Sequence, residues 1–196
     1  MELETLREIE KNLRVLSKEL MKLKDRRVLY VWAEYYSALN VKERHLKWNV
    51  KVTGNISSAD ITVETSDGRI IQVQVKTGKW QRYEFGSEVM YSADASFGKG
   101  TQIKKKRFDY LVLIITDDAE IKETLVFSLD ELKEVGPRPS LAGYPKTNPC
   151  LLSRVESIEA YEKWIMFHKI TDPIYRIEHD ICEHPENYVD RWDKIH

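Results

Sequence analysis

The chain of 196 residues suits one domain, or one core with helical additions. Its 42% hydrophobic and 32% charged content combines a real core with a soluble surface, and the absence of any run of 18 apolar residues excludes a membrane-spanning helix. The net charge of −1 averages two unlike parts: residues 1–116 carry 21 Lys/Arg against 15 Asp/Glu, a balance of +6, and residues 117–196 carry 10 against 17, a balance of −7.

That asymmetry gives the first part a polyanion-facing character. The charged start, Met-Glu-Leu-Glu-Thr, lacks the apolar stretch of a signal peptide. Two cysteines, Cys150 and Cys182, make no disulfide framework. Both features predict a cytoplasmic protein.

In chain order, Leu6, Ile9, Leu13, Leu16, Leu20 and Leu23 predict a helix over residues 1–25 with a narrow apolar stripe, which packs on the body of the protein or on a second subunit. A second helix is predicted from Arg26 to Leu39, with Val28, Val31, Trp32, Tyr35, Tyr36 and Leu39 as its apolar face. The periodicity then changes. Ala59–Thr65 alternates with a period of two, Ser66-Asp67-Gly68 supplies a turn, and Arg69–Lys76 alternates again. Strand, Asp-Gly turn and strand form the clearest local signal in the sequence.

Residues 77–100 are rich in Gly, Ser and charge and are expected to be largely loop. Thr101 caps a predicted short helix through Arg107. The apolar run Tyr110–Ile115 predicts a buried central strand, and Thr124–Phe127 predicts another. Ser128 and Glu131 have the spacing of a capping box. Pro137 and Pro139 mark the end of this core, and helices are expected around 158–167, 173–181 and 185–195. The expected division is a helix at 1–25, a core at 26–136, and a linker with a helical C-terminal extension at 137–196. Helix, hairpin, basic helix and strands in this order predict an α/β fold with a central mixed sheet flanked by helices.

The hairpin also carries chemistry. In an antiparallel pair the start of one strand lies beside the end of the other, so Asp60 comes near Gln74 and Lys76. These two are separated by one residue and share a face. An acid, an amide oxygen and a lysine converging in this way suit phosphodiester hydrolysis, which needs a metal, a deprotonated water and a cation near the developing charge. Magnesium prefers oxygen ligands and keeps several waters, so one or two carboxylates suffice.

Asp60 followed by Gln74-Val75-Lys76 resembles the PD-(D/E)xK nuclease superfamily, which includes restriction enzymes and archaeal Holliday-junction resolvases. The resemblance spans about Arg26 to Glu134 and takes in the preceding helix with Glu34. It implies a restriction-endonuclease-like core and a Mg2+-dependent DNA endonuclease (Mn2+ also serving). Asp60 and Glu34 would be on the metal with the Gln74 amide and Val75 carbonyl, and Lys76 would orient the attacking water. Two departures stand out. Ala59 replaces the motif's proline, and Gln74 replaces its second acid with an uncharged ligand. Glu64, at even spacing from Asp60, is the candidate substitute carboxylate. The alternative is a catalytically inactive nucleic-acid-binding or assembly protein with the same fold, and a third reading is a plain protein-interaction module.

Lys99, Lys104, Lys105, Lys106 and Arg107 place five positive charges in nine residues without an acid. With Lys79 and Gln102 they are the candidate DNA contacts. Trp80, Tyr83 and Phe85 either stack on bases or pack against the sheet. His179, Cys182 and His184 match no standard zinc spacing, and no Gly-rich phosphate loop of Walker spacing occurs. The expected partners are DNA and a second copy of the chain in a homodimer, with no membrane and no organic cofactor.

Overall fold

The computed structural model describes residues 1–23, 25–54, 59–85, 88–96, 108–117, 120–132, 151–168 and 177–196. Two helices lead, α1 (Leu3–Lys22) and α2 (Arg27–Arg44). Glu4 in the first turn of α1 and Lys22 in its last complement the helix dipole.

The buried side of α1 follows the predicted stripe in part, with Leu6 buried and Ile9, Leu13 and Leu20 half-buried, but its fully buried residues are not all apolar. They are Leu6, Glu10 and Ser17, while Leu16 and Leu23 are 47% and 75% exposed. The reason is a partner that hydrophobic periodicity cannot show. Trp32 of α2 donates its Nε1–H to Glu10 Oε1 at 2.9 Å, and a hydrogen-bonded carboxylate tolerates burial that an unpaired one does not. On α2, Val31 is likewise exposed, and Leu29, Trp32, Ala33, Ser37, Ala38 and Val41 are buried.

Strands β1 (Asn49–Val52), β2 (Ile61–Glu64) and β3 (Ile70–Phe85) form an antiparallel meander. β1 has no counterpart in the sequence reading, because four residues are too few to display a period. The β2–β3 turn follows the Asp-Gly signal. Thr65 donates its N–H to Arg69 O at 2.9 Å, and Gly68 donates to Thr65 O at 3.0 Å. Gly68 adopts φ +83°, a conformation glycine reaches without steric cost.

Beyond Lys76 the expected loop is a strand. β3 continues to Phe85 and pairs with β4 (Glu88–Ser96), from Trp80↔Ala93 to Phe85↔Glu88. The cluster that buries this hairpin comprises Met90, Val155, Ala160, Tyr161 and Trp164. Four of its five members lie more than sixty residues downstream, so the local composition looks too polar for a strand.

β5 (Tyr110–Asp117) runs parallel to β3, and β6 (Glu120–Ser128) returns antiparallel to β5. Asp109 aligns the parallel pair. Its backbone N–H donates to Gln72 O at 2.8 Å, and its carboxylate accepts the Gln72 N–H at 2.7 Å. The capping box forms as predicted at α3 (Leu129–Leu132): Glu131 Oε2 accepts the Ser128 N–H at 2.6 Å, and the Glu131 N–H donates to Ser128 Oγ at 3.3 Å. The predicted helix at 101–107 lies outside the described residues.

The C-terminal segment differs from a purely helical extension. β7 (Leu151–Val155) joins the sheet antiparallel to β4. Helices α4 (Ile158–His168) and α5 (Ile177–Glu183) and two short 3-10 turns, Pro185–Asn187 and Trp192–Lys194, follow.

Among the described residues all seven strands belong to one sheet, and β5 explains its layering. Residues Leu111 to Ile115 have no exposed surface because both faces of the strand are covered. Val112 and Ile114 pack with Val73, Val75, Ala33 and Val41, under α2. Leu111, Leu113 and Ile115 pack with Phe127, Ile177 and Ile181 on the opposite side. The fold is therefore α/β, a central mixed sheet flanked by helices. Trp192 and Ile195 are buried in the first of these layers, so the C-terminus completes the core. No helix among the described residues is long and apolar enough to cross a membrane.

Candidate active site

The site begins where a ladder ends. β2 pairs with β3 through Ile61↔Val73, and one residue earlier the Asp60 N–H donates to Val73 O at 3.1 Å. Beyond this point β3 has no β2 residue opposite it. Asp60 closes the gap with its side chain: Oδ2 accepts the backbone N–H of Val75 at 2.7 Å and an N–H of the Gln74 amide. The N–H and C=O of a strand residue point to the same edge. The Val75 carbonyl therefore faces the Asp60 side, away from β5.

A cleft of ≈ 620 Å³ opens at this end of the sheet, lined by Asp60, Val75, Lys76 and Thr77 from the hairpin and by Arg27, Tyr30, Val31 and Glu34 from α2. The sequence-predicted residues Glu34, Asp60, Val75 and Lys76 are thus brought to one cavity. Gln74 is not on its wall; it is 3% exposed and lies behind Asp60, with its amide N–H committed to that carboxylate. Glu64 pairs with Ile70 at the far end of β2 and does not reach the cleft.

The electrostatics are those of crowded acids. The Glu34 carboxyl is raised from 4.5 to about 7, first by burial and then by the negative charge of Asp60, with Lys76 opposing. Asp60 is raised as well. Burial is the main cause, countered by the Val75 N–H, the Lys76 charge and the Gln74 amide. Two partly desolvated carboxylates that repel each other beside one ammonium make a favourable seat for a divalent cation, whose charge would relieve the repulsion. Among the described residues no three His, Cys, Asp or Glu side chains gather around a metal position. The donor set here is two carboxylates and a carbonyl, which suits a hard ion that retains water.

The other candidates lie elsewhere. Lys79 is on β3, beside a separate hollow with Trp80, Arg82 and Tyr91. Lys99, Gln102, Lys104, Lys105, Lys106 and Arg107 lie outside the described residues. Trp80 and Tyr83 pack partly buried against core clusters. Cys182 Sγ donates to Val155 O at 3.4 Å, while His179 and His184 approach Glu183 and Glu186. Arg27, Tyr30 and Thr77 had no role in the sequence reading, and Val31 was placed there only on the apolar face of its helix. The signal for three of them was present, since they precede Glu34 by seven, four and three residues and so share its face of a helix.

No family model matches the chain, and no curated protein matches it. Among solved structures, a bacterial homing endonuclease is similar at 18% identity over 70% of this chain and 90% of its own, with a TM-score of 0.32. A likeness at that level leaves the functional reading to the geometry of the cleft.

Proposed function

We propose that the protein is a metal-dependent DNA endonuclease hydrolysing phosphodiester bonds. The observation that carries this reading is the meeting of Glu34, Asp60, Val75 and Lys76, from a helix and two strands, on one cleft. Glu34 and Asp60, with the Val75 carbonyl, would hold Mg2+ or Mn2+. The metal would supply Lewis-acid stabilisation of charge at phosphorus. Lys76 holds the attacking water by hydrogen bonding and offsets the negative charge that develops as it attacks. Gln74 acts behind the site. Its amide fixes the Asp60 carboxylate, and it replaces direct ligation as the role of the second motif position. A homodimer is part of the proposal, with Val15 and Leu16 on α1 and Leu23 just after it, all exposed, as an apolar surface for the second copy.

One observation favours the alternative of an inactive DNA-binding relative. The amide at Gln74 lowers the negative charge available for a metal. Plasmid, linear duplex and branched DNA incubated with Mg2+ or Mn2+ separate the two. Cleavage by the wild type that falls at least about 100-fold in Asp60→Ala and Lys76→Ala supports the nuclease. Salt-sensitive binding without cleavage supports the relative, and cleavage that survives both substitutions overturns the site.

A further inference from the structure

The cleft is larger than a metal site requires. Six waters around a cation, at about 30 Å³ each, occupy about 180 Å³, well under half of the ≈ 620 Å³ present. The remaining space runs along α2. Arg27, Tyr30, Val31 and Glu34 all line it, and seven residues of helix carry Arg27 about 10 Å along the axis from Glu34. The opposite side of the helix, with Leu29, Trp32 and Ala33, is buried.

The wall so formed has two parts. Tyr30 and Val31 are 52% and 42% exposed, an aromatic and an aliphatic side chain presented to solvent beside two carboxylates. Arg27 stands beyond them at the helix start. Asp25 orients it through bonds from Arg27 Nε at 3.1 Å and Nη2 at 2.6 Å, and those bonds leave the Nη1 edge directed elsewhere. This pairing lowers the Asp25 carboxyl to about 2, so the carboxylate stays charged opposite a guanidinium that is itself 88% exposed to solvent.

We infer that this face of α2 is a docking track for the DNA strand being cut, in which Tyr30, backed by Val31, packs against the nucleotide next to the scissile phosphate and Arg27 takes a flanking phosphate. The inference rests on the nuclease reading of the same cleft. An aromatic platform next to a guanidinium fits a nucleotide strand because every base has a stackable face and every linkage a negative charge. A protein partner would leave the acids at the cleft floor uncompensated, whereas a nucleic acid arrives with the cations they require.

Fluorescence anisotropy of the full chain with a labelled 20-nucleotide DNA, single-stranded and duplex, in Ca2+ and across a salt series, tests this. Arg27→Ala should reduce the slope of log affinity against log salt by about one. Tyr30→Ala should weaken binding about tenfold with the slope unchanged, and Tyr30→Phe should restore it. Thermal melts of each variant verify that folding is intact, which the exposure of both side chains favours. Wild-type affinity and slope in both alanine variants, with cleavage still dependent on Asp60, would overturn the track and leave the nuclease standing. A wild type that neither binds nor cuts DNA would overturn both, and tighter binding of an RNA strand of the same sequence, run as a third probe, would overturn the assignment to DNA.

Discussion

Gln74 donates its side-chain amide to Oδ2 of Asp60, the same oxygen that receives the Val75 N–H at 2.7 Å. An amide at this position therefore fixes the acid where a carboxylate would repel it. Gln74→Glu exchanges a donor for a charge in a place only 3% exposed. Without metal the variant should lose about 1–3 kcal/mol of stability. With Mg2+ or Mn2+ it should bind the ion more tightly than the wild type. Chemical denaturation and calorimetric metal titration measure the two halves; unchanged stability without metal would refute the positioning role, and equal metal affinity would refute the charge argument.

Glu34 provides a pH signature. Its carboxyl is raised from 4.5 to about 7 in the fold, so between those values the folded state holds a proton that the unfolded chain has released. Stability without metal must then fall as pH rises from about 4.5 to 7 and level off above. Asp60, also raised, adds to the fall. With solvent screening the loss from Glu34 is on the order of 1–2 kcal/mol. Glu34→Gln should flatten the profile, and saturating Mg2+ should do the same by favouring the ionised acid. A metal-free melting series from pH 4.5 to 8 that shows no decline would contradict the crowded-acid picture.

Lys76 opposes the upward shift of both acids. Lys76→Ala should move the midpoint of the Glu34 transition above 7, and Lys76→Arg should hold it close to the wild-type value. If Lys76 also serves the water, the arginine variant restores the titration but little of the cleavage, since a planar guanidinium does not mimic an ammonium point charge. Carbon-13 NMR of labelled glutamate follows the midpoint, and a plasmid assay follows the rate.

The bond from Trp32 to Glu10, 2.9 Å and buried, holds α1 against the helix that carries Glu34. Trp32→Phe leaves a buried carboxylate without its donor and should cost about 1–3 kcal/mol. Adding Glu10→Leu should recover part of that loss, because a matched apolar pair leaves no unsatisfied group. Denaturant midpoints for the single and double variants decide the matter, with additive losses counting against the coupling.

Much of this protein is legible residue by residue. The Asp-Gly turn with Gly68, the capping box of Ser128 and Glu131, and the apolar run of β5 are set by local steric, hydrogen-bonding and burial preferences, and each forms where the sequence places it. The relation of Asp60 to Gln74 and Lys76 also follows from the antiparallel pairing of one short hairpin. What the sequence could not decide depends on distant partners. Glu10 is buried because Trp32 is there to donate to it, and the segment after Lys76 is a strand because β7 and Trp164 cover it. Tertiary structure also set the orientation of the Gln74 amide toward Asp60 and gathered Arg27 and Tyr30 along the cleft. Periodicity records which face of an element is apolar, but the neighbour that satisfies a buried polar group or completes a sheet lies elsewhere in the chain, and only the folded arrangement supplies it.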